Sequence, residues 1–389
     1  MGVSTPRLNP EAAAEAAPVA VRRAASSELE RYAELLREAR FIHGVSLGRD
    51  AWRRLRRNWA AMAALIFLVV LSLLSILTPL LPLRPPRTVN LPRQFGPPLT
   101  SPLFSESWNV PSDEQALDRM LDQGFGQLGF FSQWLLNLRV EWFGDWQLNS
   151  ICGTDLLGRD LFSRLMWGSR VSLAVGLVAT LVSLVIGVSW GATAGYLGGR
   201  TDNAMMRFVD MLYSIPFIFV VIFLITILSE PTKVKPWLDE HDIDRIVIFF
   251  VVVGAIYWLT MSRVVRGQVI SLKQNQFIEA ARTIGASQRR IIFRHLVPNL
   301  MSIVIVYLTL TIPSVMLFEA FLSFLGLGVE APDVSWGLLA NEGVNVITPV
   351  KIYWWVIVFP SLALGLTLFS LNILGDGLRD ALDPRLKNR

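Results

Sequence analysis

Long apolar runs constrain this chain more than any other feature of its sequence. A hydrocarbon core of about 30 Å needs roughly 20 apolar residues in a helix. Runs of about this length are Trp59 to Pro82, Val171 to Tyr196, Met211 to Leu228, Ile246 to Val264, Asn299 to Leu322 and Ile352 to Leu374. The chain is 52% hydrophobic and only 17% charged. We therefore predict an all-α, polytopic membrane protein with about six transmembrane helices.

Basic residues indicate how these spans are oriented. Before the first span stand Arg53, Arg54, Arg56 and Arg57, and between the fourth and fifth spans stand Arg263, Arg266, Lys273, Arg282, Arg289, Arg290 and Arg294. By the positive-inside rule both regions are cytoplasmic, and an even number of spans returns the basic C-terminus to the same side. Because this distribution accounts for the net charge of +5, we expect no nucleic-acid partner.

Four regions follow from the pattern of spans. They are a cytoplasmic N-terminal extension (1–58), a first transmembrane helix (59–82), an extracytoplasmic insert (83–166) and a five-helix core (167–389) that contains the cytoplasmic loop 265–298. In the extension, Ser27 is a candidate helix cap, and Leu29 and Tyr32 follow at helical spacing. This pattern predicts a short amphipathic helix.

The insert is too long to be without structure, so we predict a small cap over the outer mouth of the helix bundle. Its later part is rich in aromatic residues, among them Trp134, Trp142 and Trp146. Two interpretations stay open. The aromatic side chains receive an external protein, or they anchor the cap in membrane lipid at the level of the headgroups.

The sequence holds no evident catalytic centre. A phosphate-binding loop needs Gly-x-x-x-x-Gly-Lys-Ser/Thr, and no lysine here follows a glycine. The histidines His43, His241 and His295 lie in different regions, unlike a ligand cluster at metal spacing. The single cysteine, Cys152, is interpreted as a small buried residue. We therefore expect no catalytic residue, cofactor or metal in this chain.

One outer-loop segment, 240–244, contains three acidic residues and His241. It is a candidate cation site, with a solvated run of charges as the alternative.

Ionisable residues are rare within the spans. Asp210 lies at the start of the third span and Glu319 near the outer end of the fifth. A charge at the bilayer centre costs roughly 2.5 to 3.5 kcal/mol, and ion-coupled transporters place such groups near mid-membrane. Because these two residues lie near span ends, the sequence indicates an energy source outside this chain. An ion-coupled secondary transporter or a channel remains the alternative of a different class.

The basic cytoplasmic loop has the pattern of a helix, a stop and a second helix. Ala280 and Ala281 favour the first helix, Gly285 can adopt the left-handed conformation that ends it, and Ser287 can cap the next one. The apolar residues Phe277, Ile278, Ala281 and Ile284 are predicted to fall on one side of the first helix. Such an apolar ridge suits a groove on another protein, or a surface of anionic lipid.

This loop resembles that of the permease subunits of binding-protein-dependent ABC importers, whose motif is Glu-Ala-Ala, three residues, Gly, nine residues and Ile-x-Leu-Pro. Matching positions are Glu279, Ala280, Ala281, Gly285 and Pro298. His295 and Val297 depart from the motif, but Arg294-His295-Leu296-Val297-Pro298-Asn299 is similar to the ending in the dipeptide/oligopeptide branch.

Further segments are similar to the same branch over roughly residues 50 to 389. They are Arg53 to Asn58, Gly153-Thr154-Asp155-x-x-Gly158-Arg159-Asp160, Ser323 to Gly328 and Gly375 to Pro384. The long N-terminal extension and the enlarged first outer loop depart from the shorter family pattern.

The resemblance implies a C-type subunit with the type I ABC importer transmembrane fold, in the bacterial cytoplasmic (inner) membrane. It implies a second permease subunit, two ATPase subunits that hold ATP and Mg, and an extracytoplasmic substrate-binding protein. The implied substrate is a di- or oligopeptide, with nickel or another small solute as the alternative. The implied ATPase-coupling residues are Glu279, Ala280, Ala281, Arg282, Gly285, Ala286, Arg290, His295 and Pro298.

Overall fold

A computed structural model of the chain describes residues 47–99, 104–106, 108, 110–111, 113–126, 128–229, 245–329, 333–349 and 351–382. The predicted amphipathic helix after Ser27 and the candidate cation segment 240–244 lie outside the described residues. Residues Arg54–Arg389 form one compact unit, and among the described residues this unit contains the long apolar helices.

The membrane-spanning part consists of long helices. After α1 (Leu47–Arg57) come α2 (Trp59–Ile76), and later α5 (Leu161–Leu197), α6 (Gly199–Ser214), α7 (Phe217–Ser229), α8 (Arg245–Leu272), α10 (Gln288–Phe324) and α12 (Trp354–Leu382). Among the described residues, four helices are long and apolar enough to cross a bilayer: α2, α5, α10 and α12. The number of spans rises to five if α6 and the start of α7 together form one bent span. α8 has 28 residues, about 42 Å of helix, and carries the fourth predicted run. The predicted all-α polytopic fold is confirmed.

Several span limits differ from the sequence prediction, and three of the differences have a local cause, which is a proline in two cases. α2 ends at Ile76, and a short 3₁₀ turn with Pro79 follows. The third run is broken at Pro216 into α6 and α7, which are bent by 77°. α5 begins at Leu161, ten residues before the predicted span, because the Asp160 side chain caps it by accepting from the Ser163 N–H over 2.7 Å.

α5 and α8 pack with almost no space between their backbones. A Cβ atom built on Gly191 would lie 2.3 Å from the Ser262 carbonyl oxygen, and one on Gly187 would lie 2.6 Å from the Met261 Cβ. From the other side, a Cβ on Gly254 would lie 2.9 Å from the Ala179 backbone. The small residues Ala179, Gly187 and Gly191 of α5 therefore serve helix packing.

The extracytoplasmic insert has its own small core. It contains β1 (Phe104–Glu106), α3 (Glu114–Phe125), α4 (Phe130–Phe143) and β2 (Trp146–Leu148), and the two strands pair antiparallel. Trp108, Leu121, Phe125 and Leu136 are buried together with Trp167 of α5. The described part of the insert thus has an ordered core that includes the first turns of α5.

A network of charged side chains joins the motif Gly153 to Asp160 to a later short helix, α11 (Trp336–Asn345). The Asp155 carboxylate accepts from Arg159 Nε over 2.7 Å and from Arg164 Nη1 over 2.6 Å. Arg164 also donates through Nη2 to Glu342 Oε1 over 3.0 Å. Asp155 and Arg164 are each 1% exposed, so the motif Gly153 to Asp160 forms a buried ionic connection at the outer side of the bundle.

Candidate interaction site on the cytoplasmic loop

The loop folds as the sequence predicts, with a short helix that ends at a glycine. α9 covers Gln276–Thr283, and Gly285 follows with φ of 82°. The Ala286 N–H donates to the Ala281 carbonyl over 3.0 Å, and the Gly285 N–H to the Arg282 carbonyl over 2.9 Å. These two bonds form the Schellman motif that closes a helix C-terminus. The predicted left-handed Gly285 is therefore observed.

α9 is held against the membrane helices by one side of its surface. Ile278 is completely buried and Ala281 is 8% exposed. They pack in one cluster with Val265 and Val269 of α8 and with Leu296 of α10. Burial of Ile278 alone contributes roughly 1.5 to 3 kcal/mol, so α9 is fixed to the bundle rather than free in solution.

The four apolar residues of α9 lie on one side of the helix, as predicted, but the bundle covers only two of them. Ile278 and Ala281 face the bundle, whereas Phe277 is 39% exposed and Ile284 is 86% exposed. The four residues span about 120° of the helix circumference at 100° per residue, which is wide enough for the protein's own core to cover only half of them. The exposed apolar part consists of Phe277, Ala280 and Ile284.

Two side chains connect the loop to the end of α5. The Arg282 guanidinium lies 5.2 Å from the centre of the Tyr196 ring, and its Nε lies 3.4 Å from the tyrosine hydroxyl. Lys273 Nζ donates to the Gly195 carbonyl over 2.9 Å, where a cation stabilises the last turn of a helix. Spacing along the chain gives no signal for these contacts of Tyr196 and Lys273, because the contacts join segments that are distant in the sequence.

The second helix of the loop starts at Ser287, which occupies the N-cap position without a side-chain cap hydrogen bond. A π-helical segment, Ile291–Leu296, interrupts α10, and the Val297 N–H donates to the Ile292 carbonyl five residues back. Pro298 follows at once. A proline lacks the N–H and its ring clashes with the carbonyl four residues earlier, so a wider turn accommodates it.

The predicted coupling residues therefore divide by exposure. Exposed are Glu279, Ala280, Arg282, Gly285, Arg290 and Pro298, half-buried are Ala286 and His295, and buried is Ala281. The exposed ones carry both signs of charge around the apolar patch. This arrangement can bind an apolar side chain of a partner with charged residues at the rim.

Glu319 lies away from this loop, near the end of α10, as the sequence indicates. It is 0% exposed. Its carboxyl group accepts from Ser323 Oγ over 2.7 Å and from Ser172 Oγ over 3.4 Å, and Ser335 also contacts it. Among the described residues, no cationic side chain pairs with it. The spacing of Glu319 and Ser323 on one helical face was the available signal.

Comparison with known proteins matches these features to one class, the membrane components of transport systems. Residues 183–388 match the family of binding-protein-dependent transport system inner membrane components. Residues 46–98 match the N-terminal TM domain of oligopeptide transport permease C.

Individual relatives are permease proteins. The chain is 44% identical over 235 residues to the dipeptide transport system permease protein DppC of Bacillus subtilis, which covers 60% of this chain and 68% of that protein. It is 44% identical over 233 residues to the oligopeptide transport system permease protein OppC of Escherichia coli K12, with 60% and 72% covered. It is 38% identical over 270 residues to the glutathione transport system permease protein GsiD of Pectobacterium atrosepticum, with 67% and 83% covered.

Among solved structures, the chain matches the MetNI methionine ABC transporter in inward facing conformations with a TM-score of 0.39 and 18% identity, over 56% of this chain and 94% of that one. That similarity is too low to support a structural argument. The family match covers more than half of the chain. The protein belongs to the family of inner membrane components of binding-protein-dependent transport systems, and the predicted resemblance is confirmed.

Proposed function

We propose that this chain is the C-type permease subunit of an ATP-binding-cassette importer for di- and oligopeptides. It forms half of a translocation pathway in the bacterial cytoplasmic membrane, and a second permease subunit forms the other half. The family match and the names of the relatives support the transport role. The proposed coupling to ATPase subunits is supported by one observation: Ile278 buries one side of α9 in the bundle, whereas Ile284 is exposed.

In this proposal α9 is the coupling helix. Phe277, Ala280 and Ile284 enter an apolar groove on an ATPase subunit, and Arg282 and Arg290 lie at its rim. The two ATPase subunits hold ATP and Mg, and this chain contributes no catalytic residue. Closure of the ATPase pair moves α9, and the buried cluster around Ile278 transmits the movement to α8 and α10. The bundle changes as rigid bodies between inward-open and outward-open packings.

An external binding protein delivers the substrate to the outer face. Peptides are the first candidate, because the dipeptide and oligopeptide permeases are relatives at 44% identity. Glutathione, itself a small peptide, is the second candidate because of the GsiD relative. Stimulation of ATP hydrolysis by the binding protein loaded with a dipeptide, an oligopeptide, glutathione or nickel would separate these substrates.

The coupling role is tested at Ile284, whose side chain is 86% exposed. An acidic side chain there leaves the fold intact but opposes insertion into an apolar groove. We expect Ile284→Asp to lower substrate-stimulated ATP hydrolysis and the amount of ATPase subunit that co-purifies, each by about tenfold or more. The matched control is Leu91→Asp, because Leu91 is 62% exposed in the extracytoplasmic insert. Equal transport by both variants would refute the assignment of α9.

A further inference from the structure

Helix α4 of the insert has three chemically distinct faces. One is buried in the protein and contains Ser132, Leu135, Leu136 and Arg139. The second is polar and exposed, with Gln133, Asn137 and Glu141. The third is aromatic and exposed, with Phe131 at 54%, Trp134 at 51% and Trp142 at 64% exposure. Phe130, at 87% exposure, and Glu141 lie at the border between the polar and aromatic faces. A helix that contacts only protein and water would not expose an aromatic face, because such a face indicates contact with a membrane or another protein.

The position of α4 places this aromatic face level with the outer end of a span. α4 packs against the 3₁₀ turn Thr78–Leu80, which directly follows α2. Arg139 of α4 also donates through Nη2 to the Leu83 carbonyl over 2.6 Å. The last turn of α2 exposes apolar side chains, with Leu73 and Ile76 each 53% exposed. The aromatic face of α4 thus continues the apolar belt of the bundle at its outer rim.

The chemistry of the exposed faces distinguishes lipid from a protein partner. Charged side chains are scarce there: among the described residues of α4, Arg139 is buried and Glu141 is the exposed charge. Tryptophan and phenylalanine beside a polar stripe are the composition of a helix at the boundary of headgroups and acyl chains. Charged groups give a docking surface for a soluble binding protein its steering and register, and the exposed faces of α4 offer one, Glu141.

We propose that α4 lies in the outer membrane–water interface of the bilayer and inserts Phe130, Phe131, Trp134 and Trp142 among the phospholipid headgroups. Gln133, Asn137 and Glu141 then face water, and the buried face holds the insert. The insert is thereby attached to the bilayer at its second helix as well as to the bundle. Of the two interpretations of Trp134 and Trp142, this proposal selects lipid anchoring over reception of an external protein.

Collision accessibility of spin labels tests this arrangement in the complete transporter, reconstituted in nanodiscs of phosphatidylethanolamine and phosphatidylglycerol. The native thiol of Cys152 is 6% exposed, so labels go to introduced cysteines without removing it. The test variants are Trp134→Cys and Trp142→Cys, and the control is Asn137→Cys on the polar face of the same helix. Molecular oxygen concentrates in lipid, whereas a water-soluble nickel chelate does not.

We expect the labels at positions 134 and 142 to collide at least threefold more often with oxygen relative to the chelate than the label at 137. Equal ratios at the three positions would overturn the proposal. So would protection of positions 134 and 142 from both reagents when the external binding protein is added, since that result places a protein on the aromatic face. Because the measurement involves no ATP hydrolysis, its failure leaves the proposed transport function untouched.

Discussion

The backbone N–H of Ala286 donates to the Ala281 carbonyl oxygen over 3.0 Å, and this bond closes α9 across the left-handed Gly285. Ala281 belongs to the buried cluster under α9, and Ala286 packs against the same cluster. Gly285 therefore lies between Ala281 and Ala286, the two residues that fix the end of α9 to the bundle. The shape of the exposed surface depends on one backbone conformation.

Replacement of Gly285 is expected to uncouple ATP hydrolysis from transport. A Cβ at this position meets no atom within 4 Å, so the effect comes from φ alone and costs about 1 to 2 kcal/mol for a side chain such as valine. We predict that Gly285→Val reduces the number of substrate molecules imported per ATP hydrolysed. Gly285→Asn is the control, because asparagine tolerates the left-handed region. Normal import by Gly285→Val would contradict the assignment.

The contact between α5 and α8 predicts opposite results at two glycines. Gly191→Ala places a methyl group 2.3 Å from the Ser262 carbonyl oxygen, and we expect a loss of about 1 to 3 kcal/mol from overpacking. Gly267→Ala in α8 meets no atom within 4 Å, and we expect a gain of up to about 1 kcal/mol in helix stability. Thermal unfolding in detergent measures both. Equal melting temperatures would disprove the close contact.

Loss of one member of the ionic network of Asp155, Arg164 and Glu342 is expected to lower the free energy of unfolding strongly. Arg164 is 1% exposed and bridges Asp155 and Glu342. Arg164→Gln leaves the buried Asp155 with less compensation, and we predict a cost of about 3 to 5 kcal/mol. Glu342→Gln removes a partly exposed carboxylate from the network, and we expect it to lower the free energy of unfolding by less than Arg164→Gln does. The double variant should be more stable than the sum of the two single effects predicts, as a double-mutant cycle in unfolding experiments would reveal.

Glu319 provides a test of the energy source. Glu319→Gln keeps hydrogen-bonding groups toward Ser172 and Ser323, so we expect ATP-driven import to stay within about twofold of the wild type. Glu319→Leu leaves those buried hydroxyl groups without their acceptor and should lower stability by about 1 to 3 kcal/mol. Loss of import in Glu319→Gln with normal ATP hydrolysis would instead indicate that this carboxyl group carries a transported proton.

Cys152 is expected to be chemically inert in the folded protein. Burial, and to a lesser degree the Asp160 carboxylate, raises the pKa of its thiol to about 12. At pH 8 the reactive thiolate is then about 10⁻⁴ of the total, against roughly a quarter for an unfolded cysteine with a pKa near 8.5. Alkylation by iodoacetamide, measured on the Cys152 peptide, should accelerate with rising pH and on unfolding in detergent. Prompt alkylation at pH 8 would contradict the burial.

The sequence was sufficient for the features that depend on local chemistry. The long apolar runs predicted the spans, and Gly285 predicted the end of α9, because a glycine there lacks the penalty for a positive φ. Gly187 and Gly191, four residues apart, place small groups on one helical face, which is typical of close helix packing. These signals lie within one element of the chain.

The remaining features depend on which distant elements meet. The division of the ridge into buried Ile278 and exposed Ile284 is set by α8 and α10. The contact of Ser323 with Glu319 follows from their spacing in α10, but Ser172 approaches from α5, and no spacing along the chain indicates that contact. Pro216 is visible in the sequence, but it does not by itself predict the bend between α6 and α7, because a proline in a span is compatible with a continuous helix.

α5 has 37 residues without a break, a length of about 55 Å. Arg164 in its first turn belongs to the outer ionic network, and Tyr196 in its last turn touches Arg282 of the cytoplasmic loop. α5 therefore connects the two sets of contacts as one continuous helix. A tilt imposed at its Tyr196 end moves its Arg164 end without passing through any hinge.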